Sequence, residues 1–273
     1  MPPSRADFAL ILAPNPGPMT LSGTNTYVAG RDPGYVVDPG PDLPDHLEAV
    51  RREGDARGGL AGAVLTHSHA DHSAGVATLG APLLWGRVSE SDETAALAAA
   101  AAGSEPPTGE PERPETAAGD PGFAVEPLSV LPTPGHSRDH VAFVFGEVCF
   151  CGDLVLGEGS TIVPPAAYGG SLADYMDSLR RLRTLDAALL APGHGPLIED
   201  PGAKLDAYIA HREAREDRLV EALERGERSR SRLLDIAWDD VPEILRPAAA
   251  MAMQAHMEKL EAEGRLAPAE LRA

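Results

Sequence analysis

Cysteine is nearly absent from this chain: two residues in 273, Cys149 and Cys151. They stand two apart on an expected strand, so they point to one face and cannot bridge in regular β geometry. A disulfide framework is excluded, and the pair reads as two small core side chains of a protein in a reducing cytoplasm. Long apolar runs are missing too. No stretch approaches the roughly 18 apolar residues that cross a bilayer, so no membrane partner is expected. The first twenty residues hold prolines and Asp7 and no basic segment leading into an apolar one, which argues against a signal peptide. Basic residues are scarce, 23 Lys and Arg against 42 Asp and Glu, giving a net charge of −19. The deficit is uneven: residues 1–203 carry 11 basic and 27 acidic side chains, residues 204–273 carry 12 and 15. A polyanion such as RNA would meet a repulsive field over most of the first part.

What is present is enough for a real core, with 43% hydrophobic residues. Buried strands are expected over Gly34 to Asp38 and Leu60 to Leu65, and further short strands over Pro82 to Trp85, Leu128 to Thr133 and Leu189 to Ala191. A helix is expected around Asp42 to Glu53. Val141 to Phe145 and Val148 to Phe150 flank Gly146-Glu147, a two-residue hairpin signal. Ser171 to Asp174 reads as a capping box for a helix running to about Leu185. Its apolar residues Leu172, Tyr175, Met176, Leu179 and Leu182 follow helical spacing. Interleaved strands and helices make this an α/β chain. Gly103 to Gly122, rich in Pro, Glu, Gly and Thr, reads as a flexible insertion that could serve as a lid. Lys204 to Arg225 is a strong helix with Leu205, Tyr208, Ile209, Leu219, Val220 and Leu223 on one face. Shorter helices follow, with Met253, Met257 and Leu260 read as core and most of the charges as solvated. The chain divides into residues 1–203 and a helical piece, 204–273.

Thr66-His67-Ser68-His69-Ala70-Asp71-His72 crowds three imidazoles and a carboxylate into six residues at a strand end. Nitrogen and oxygen donors in this mixture suit borderline metals such as zinc. One metal would not need so many donors so close together, so the spacing suggests two. Three more donors, His136, Asp153 and His194, each follow a short apolar run, and Gly and Pro beside His136 and His194 let the backbone turn sharply.

The H-x-H-x-D-H motif with a later histidine, aspartate and histidine resembles the metallo-β-lactamase fold superfamily. The chain is most similar there to the β-lactamase-like protein 2 branch. The likeness rests on Leu21 to Tyr27, Val37-Asp38-Pro39-Gly40, Pro134 to His140, Cys151 to Gly157, Tyr175 to Leu179 and Ala191 to Pro196. It extends through His211-Arg212-Glu213-Ala214-Arg215-Glu216 and Leu260 to Arg265. The resemblance implies a four-layer αββα sandwich with a small winged-helix-like C-terminal domain. It implies His67, His69 and His136 around one Zn2+, Asp71, His72 and His194 around a second, and Asp153 bridging; Mn2+ and Fe2+ fit the same donors. A hydroxide shared by the metals would attack, with Asp71 orienting it and carrying the proton. Asp38 is expected to bond a ligand histidine or cap a turn, His140 to be structural or touch substrate, and Tyr168 to line the pocket or donate to an oxyanion.

Departures from other branches rank the substrates. Glyoxalase II enzymes carry Gly-Cys-Gly-Arg after the bridging aspartate, where this chain has Leu154-Val155-Leu156-Gly157. True β-lactamases of this fold place cysteine or serine near the position of Asp153. Flavodiiron relatives place glutamate where His69 stands. The branch implies single-strand endoribonuclease activity or thioester hydrolysis. Glyoxalase II-like or weak β-lactamase activity ranks below these, and a non-catalytic metal-binding role last. The expected partner is a small ester or thioester or a single-stranded RNA, and a homodimer is left open.

Overall fold

Alternation with a period of two, applied to strands covered on both faces, builds the centre of the molecule. The computed structural model describes residues 7–88 and 124–266; the stretch read as a lid, 103–122, lies outside them. One sheet runs β1-β2-β3-β4-β5, formed by Phe8–Leu12, Asn25–Ala29, Gly34–Val37, Leu60–Val64 and Leu83–Trp85. The other runs β10-β9-β8-β7-β6, formed by Leu189–Pro192, Val148–Gly152, Val141–Phe145, Leu128–Pro132 and Ala124–Val125. The β8–β9 hairpin pairs Phe145 with Val148 across Gly146-Glu147. Gly146 has φ of 61°, as the turn requires.

The inward residues of both sheets meet in one layer: Tyr27, Ala29, Val37 and Val64 face Phe143, Phe145, Phe150, Leu189 and Ala191. Their neighbours point outward. Val28, Val36 and Ala63 pack under the helix Pro44–Ala56 (α1), through Leu47 and Val50, and under Leu79. Ala142, Cys149, Cys151 and Leu190 pack under the helix Leu172–Arg183 and the long helix Pro201–Glu224. The result is the four-layer αββα sandwich of an α/β protein. Both cysteines sit on the same outward face, buried and unpaired.

The helix Leu172–Arg183 buries all five of its expected apolar positions, and Ser171 Oγ accepts from the Asp174 N–H at 3.3 Å. The long helix departs from expectation. Its apolar face is interrupted at Arg212 and Arg215, which are buried, 4% and 3% exposed, instead of lying on a solvated face. Leu205 and Tyr208, before the interruption, join the sandwich core. Leu219 and Leu223, after it, join a second core with Leu233, Trp238, Met253, Met257 and Leu260. That core is built by the helices Arg230–Ala237 and Arg246–Ala262 beside the long helix. No described helix is long and apolar enough to cross a membrane.

Candidate metal centre

Strand ends at one edge of the sandwich deliver the chemistry-bearing side chains. Asp38 follows β3, Thr66 and His67 follow β4, His136 follows β7, Asp153 follows β9 and His194 follows β10. His69, Asp71 and His72 lie at or within a single helical turn, Ala70–Ser73. Two close approaches need glycine. A Cβ on Gly193 would sit 2.4 Å from Asp153 Oδ1, and one on Gly152 (φ 47°) would sit 2.5 Å from Thr66 Oγ1.

All seven donors of the sequence reading converge. The ring nitrogens of His67 and His69 are 2.9 Å apart, and those of His69 and His136 are 3.1 Å apart. Three nitrogens at the corners of a tetrahedral zinc site would stand about 3.3 Å apart, so a small cation fits this spacing. Beside them, His194 Nε2 lies 3.2 Å from Asp71 Oδ2, and His72 Nε2 lies 3.5 Å from the same oxygen. Asp153 faces both groups, with Oδ1 3.5 Å from His72 and Oδ2 3.4 Å from His194 and 3.8 Å from His136. Potential donor atoms cluster as His67, His69 and His136; as His67, His72 and Asp153; and as Asp71, His72 and His194. His72 Nε2 and Asp153 Oδ1 are buried without a hydrogen-bond partner. Burial of such atoms is costly unless something else satisfies them, and a divalent cation has the right chemistry for both.

The proton on each imidazole is placed by its outer partner. His136 Nδ1–H donates to Ile162 O at 2.8 Å and His194 Nδ1–H to Gly23 O at 3.1 Å. His72 Nδ1–H donates to Asp38 Oδ2 at 2.9 Å. Thr66 Oγ1 donates to Asp38 Oδ2 at 2.7 Å and so accepts from His67 Nδ1–H at 3.0 Å. In all four rings it is Nε2 that faces the cluster. Asp38 thus bonds a cluster histidine and Thr66, resolving the choice between that and turn capping. His140 spends both ring nitrogens away from solvent: Nε2 accepts from Asp153 N–H at 3.2 Å, and Nδ1 donates to Thr133 Oγ1 at 2.8 Å. Buried and fully engaged, it holds the Asp153 turn and has no atom for a substrate. Tyr168 lies half-buried on the turn Ala166–Tyr168.

Electrostatics divides the cluster. Burial, reinforced by neighbouring imidazoles, pushes His67 well below its ordinary range and His69 down to about 4. Burial also lowers His136. Around the carboxylates the balance reverses. Burial opposes charge on His194, but Asp153 and Asp71 together lift it to about 10. His72 is raised likewise, chiefly by Asp71 and Asp153 acting against burial. Asp71 falls to about 2, held down by His72 and His194 despite its burial. One half offers neutral nitrogen donors, and the other half attracts positive charge.

The Metallo-beta-lactamase superfamily model matches residues 19–194, which carry the whole cluster. The chain belongs to the metallo-β-lactamase superfamily. The Beta-lactamase associated winged helix domain model matches residues 231–270. The Beta-lactamase-like protein 2 homolog of Drosophila melanogaster is 33% identical, covering 94% of this chain and 88% of its own. The metallo-beta-lactamase family protein TTHA1429 from Thermus thermophilus superposes with a TM-score of 0.69 at 26% identity, covering 95% of this chain and 94% of its own. TTHA1623 in a di-iron-bound form is 30% identical over 73% of this superfamily member and 96% of its own chain, with a TM-score of 0.50. As a superfamily member the chain is a metal-dependent hydrolase, and its histidine and aspartate cluster is suited to divalent metal.

Several supporting residues escaped the sequence reading. Thr66 relays Asp38 to His67. Thr24 Oγ1 donates to Asp71 Oδ2 at 3.4 Å, and Asn25 Nδ2 donates to the carbonyls of Pro192 and Gly195 at 2.9 and 2.8 Å, fixing the His194 turn. Thr24 and Asn25 lie within the motif Leu21 to Tyr27, so their signal was on view without its function. Ile162 acts through its carbonyl, which leaves no mark on residue type.

Proposed function

We propose that this chain is a dinuclear, zinc-dependent hydrolase, with His67, His69 and His136 holding one metal, Asp71, His72 and His194 the other, and Asp153 shared. The observation that carries this reading is that Asp153 stands against histidines of both sets, with Oδ2 3.8 Å from His136 and 3.4 Å from His194 and Oδ1 3.5 Å from His72. Bound between these ligands, two divalent cations would activate water near neutral pH and polarise the electrophile. The neutral imidazoles of His67 and His69 favour zinc; the di-iron form of the relative TTHA1623 makes Fe2+ the first alternative, followed by Mn2+. Among the chain's own groups, Asp71 is ionised at neutral pH and more exposed than Asp153, 16% against 11%. It accepts a hydrogen bond from the attacking water, orients it and takes its proton. His140 keeps Asp153 in register through the Asp153 N–H. Two unpaired cysteines accord with work in a reducing cytoplasm.

For substrate class, similarity to the β-lactamase-like protein 2 branch favours single-stranded RNA. Charge favours a second reading, an acyl thioester. The net charge is −19, and several C-terminal basic groups are tied up: Arg215 with Asp240, Arg218 with Asp239, and Lys259 and Arg265 with Glu216. The test is cleavage of single-stranded RNA by zinc-loaded protein, with Asp71→Ala prepared identically. Cleavage that disappears in Asp71→Ala and weakens steeply with added salt supports the ribonuclease reading. No cleavage by a protein carrying two metals removes it and moves the assay to acyl thioesters, whose turnover should respond little to salt.

A further inference from the structure

The run His211-Arg212-Glu213-Ala214-Arg215-Glu216 is not explained by hydrolysis, yet it places two buried guanidinium groups on the long helix. Arg212 is the end of a ladder. Lys204, Tyr208 and Arg212 are four residues apart and therefore share one face of that helix. Each grips the chain that leaves Asp153. Lys204 Nζ donates to Gly157 O at 2.9 Å. Tyr208 accepts from Leu156 N–H and donates to Gly159 O, both at 3.0 Å. Arg212 Nη2 donates to Ser160 Oγ at 3.0 Å and to Thr161 O. The next residue, Ile162, supplies the carbonyl that takes the His136 Nδ1 proton.

Arg212 also supports His136 from the other side. Its guanidinium lies 5.3 Å from the centre of the Tyr175 ring. The Tyr175 backbone packs so closely on Gly135, the residue before His136, that a Cβ there would sit 2.3 Å from Tyr175 Cα. Farther along the same loop, Ala166 N–H donates to Glu258 Oε2 of the C-terminal helix at 2.8 Å.

We infer that Lys204, Tyr208 and Arg212 are positioning residues for the first metal: they fix the 156–162 loop and, through Ile162 O, the tautomer and aim of His136. This rests on the proposed dinuclear site. The long helix Pro201–Glu224 is then part of the metal centre's support. A surface loop held only by solvent would let Ile162 O drift, and the His136 proton could then move to Nε2, the nitrogen that must bind metal.

The test uses the full-length protein and stepwise Zn2+ affinities from competition with a chromophoric chelator, with Co2+ absorption as a second readout of the ligand set. In Arg212→Met one binding step should weaken about 10- to 100-fold, the range for lost outer partners of ligand histidines. It should be the step that His69→Ala also removes, with the other step little changed. Arg212→Lys, which keeps a donor, should recover part of the loss. Tyr208→Phe removes a single hydroxyl and should show a smaller loss at the same step, and it carries the test if Arg212→Met does not fold. Unchanged affinities in variants that lose only thermal stability would overturn the inference, as would equal weakening of both steps. A wild-type protein binding fewer than two metals would instead overturn the proposed function, and the inference with it.

Discussion

Replacing Asp38 by Asn should invert the proton arrangement of both halves of the cluster at once. Asp38 adopts φ of 51°, a left-handed conformation that Asn also tolerates, so the change adds no backbone strain. The carboxylate accepts three hydrogen bonds, from Thr66 N–H at 2.7 Å, Thr66 Oγ1 at 2.7 Å and His72 Nδ1 at 2.9 Å. With the amide oxygen kept on Thr66 N–H, the NH2 group faces Thr66 Oγ1 and His72 Nδ1. His72 must then accept at Nδ1 and carry its proton on Nε2. Thr66 Oγ1 must accept from Asn and donate to His67 Nδ1, so His67 also moves its proton to Nε2. Hydrogen bonds to charged partners contribute about 1.5–3 kcal/mol and neutral ones about 0.5–1.5. Converting three bonds therefore costs about 3 to 4.5 kcal/mol, reduced by removal of a buried charge. The larger effect falls on metal binding. His67 and His72 belong to different halves, so both binding steps should weaken, each by about 10- to 100-fold. Urea unfolding measures the first quantity and chelator competition the second. Asp38→Asn binding two metals within about threefold of wild type, on the same scale of effects, would refute the tautomer relay.

Two further outcomes concern the rest of the fold. Burial would raise the Glu216 carboxyl, but the His256 ring, Lys259 and Arg265 hold it down at about 2. A group depressed in the folded state contributes stability above its unfolded value near 4.5 and loses it as pH falls from there toward 2. The thermal midpoint should thus fall more steeply below pH 4.5 in wild type than in Glu216→Gln; parallel curves would contradict the assignment. Burial pushes the Cys149 thiol up to about 12 and raises Cys151 as well, so neither should react with a disulfide reagent at pH 8 until the protein unfolds. Rapid labelling of the native protein would place them outside the core.

How much of this was readable in the chain depended on whether the information lay in residue type or in the backbone. The strands announced themselves as short apolar runs and the ligands through donor type and position at strand ends, so the α/β class and all seven converging side chains were legible, while the four-layer form came from the family resemblance. Asp38 was legible as a candidate but not as a choice, because capping and histidine bonding call for the same residue; its three bonds decide it. His140 carried a chemistry-bearing side chain whose role residue type alone left open; its bonds to Asp153 N–H and Thr133 Oγ1 make it structural. Phe8–Leu12 was missed because its residues are only partly buried and show no clean alternation. Arg212 and Arg215 fell among charges expected to be mostly solvated, because burial of a guanidinium is rare unless its donors are satisfied. Their partners are a carbonyl at Thr161 and a carbonyl and carboxylate at Ala237 and Asp240. These lie 22 to 51 residues distant in sequence, beyond the reach of local pattern.

The most direct test is elemental analysis of purified protein after equilibrium dialysis against Zn2+, beside Asp153→Ala. Two metal ions per chain in wild type, with at least one lost in Asp153→Ala, is the expected result. One ion or none in wild type, or two retained without Asp153, would contradict a dinuclear centre built on that shared carboxylate.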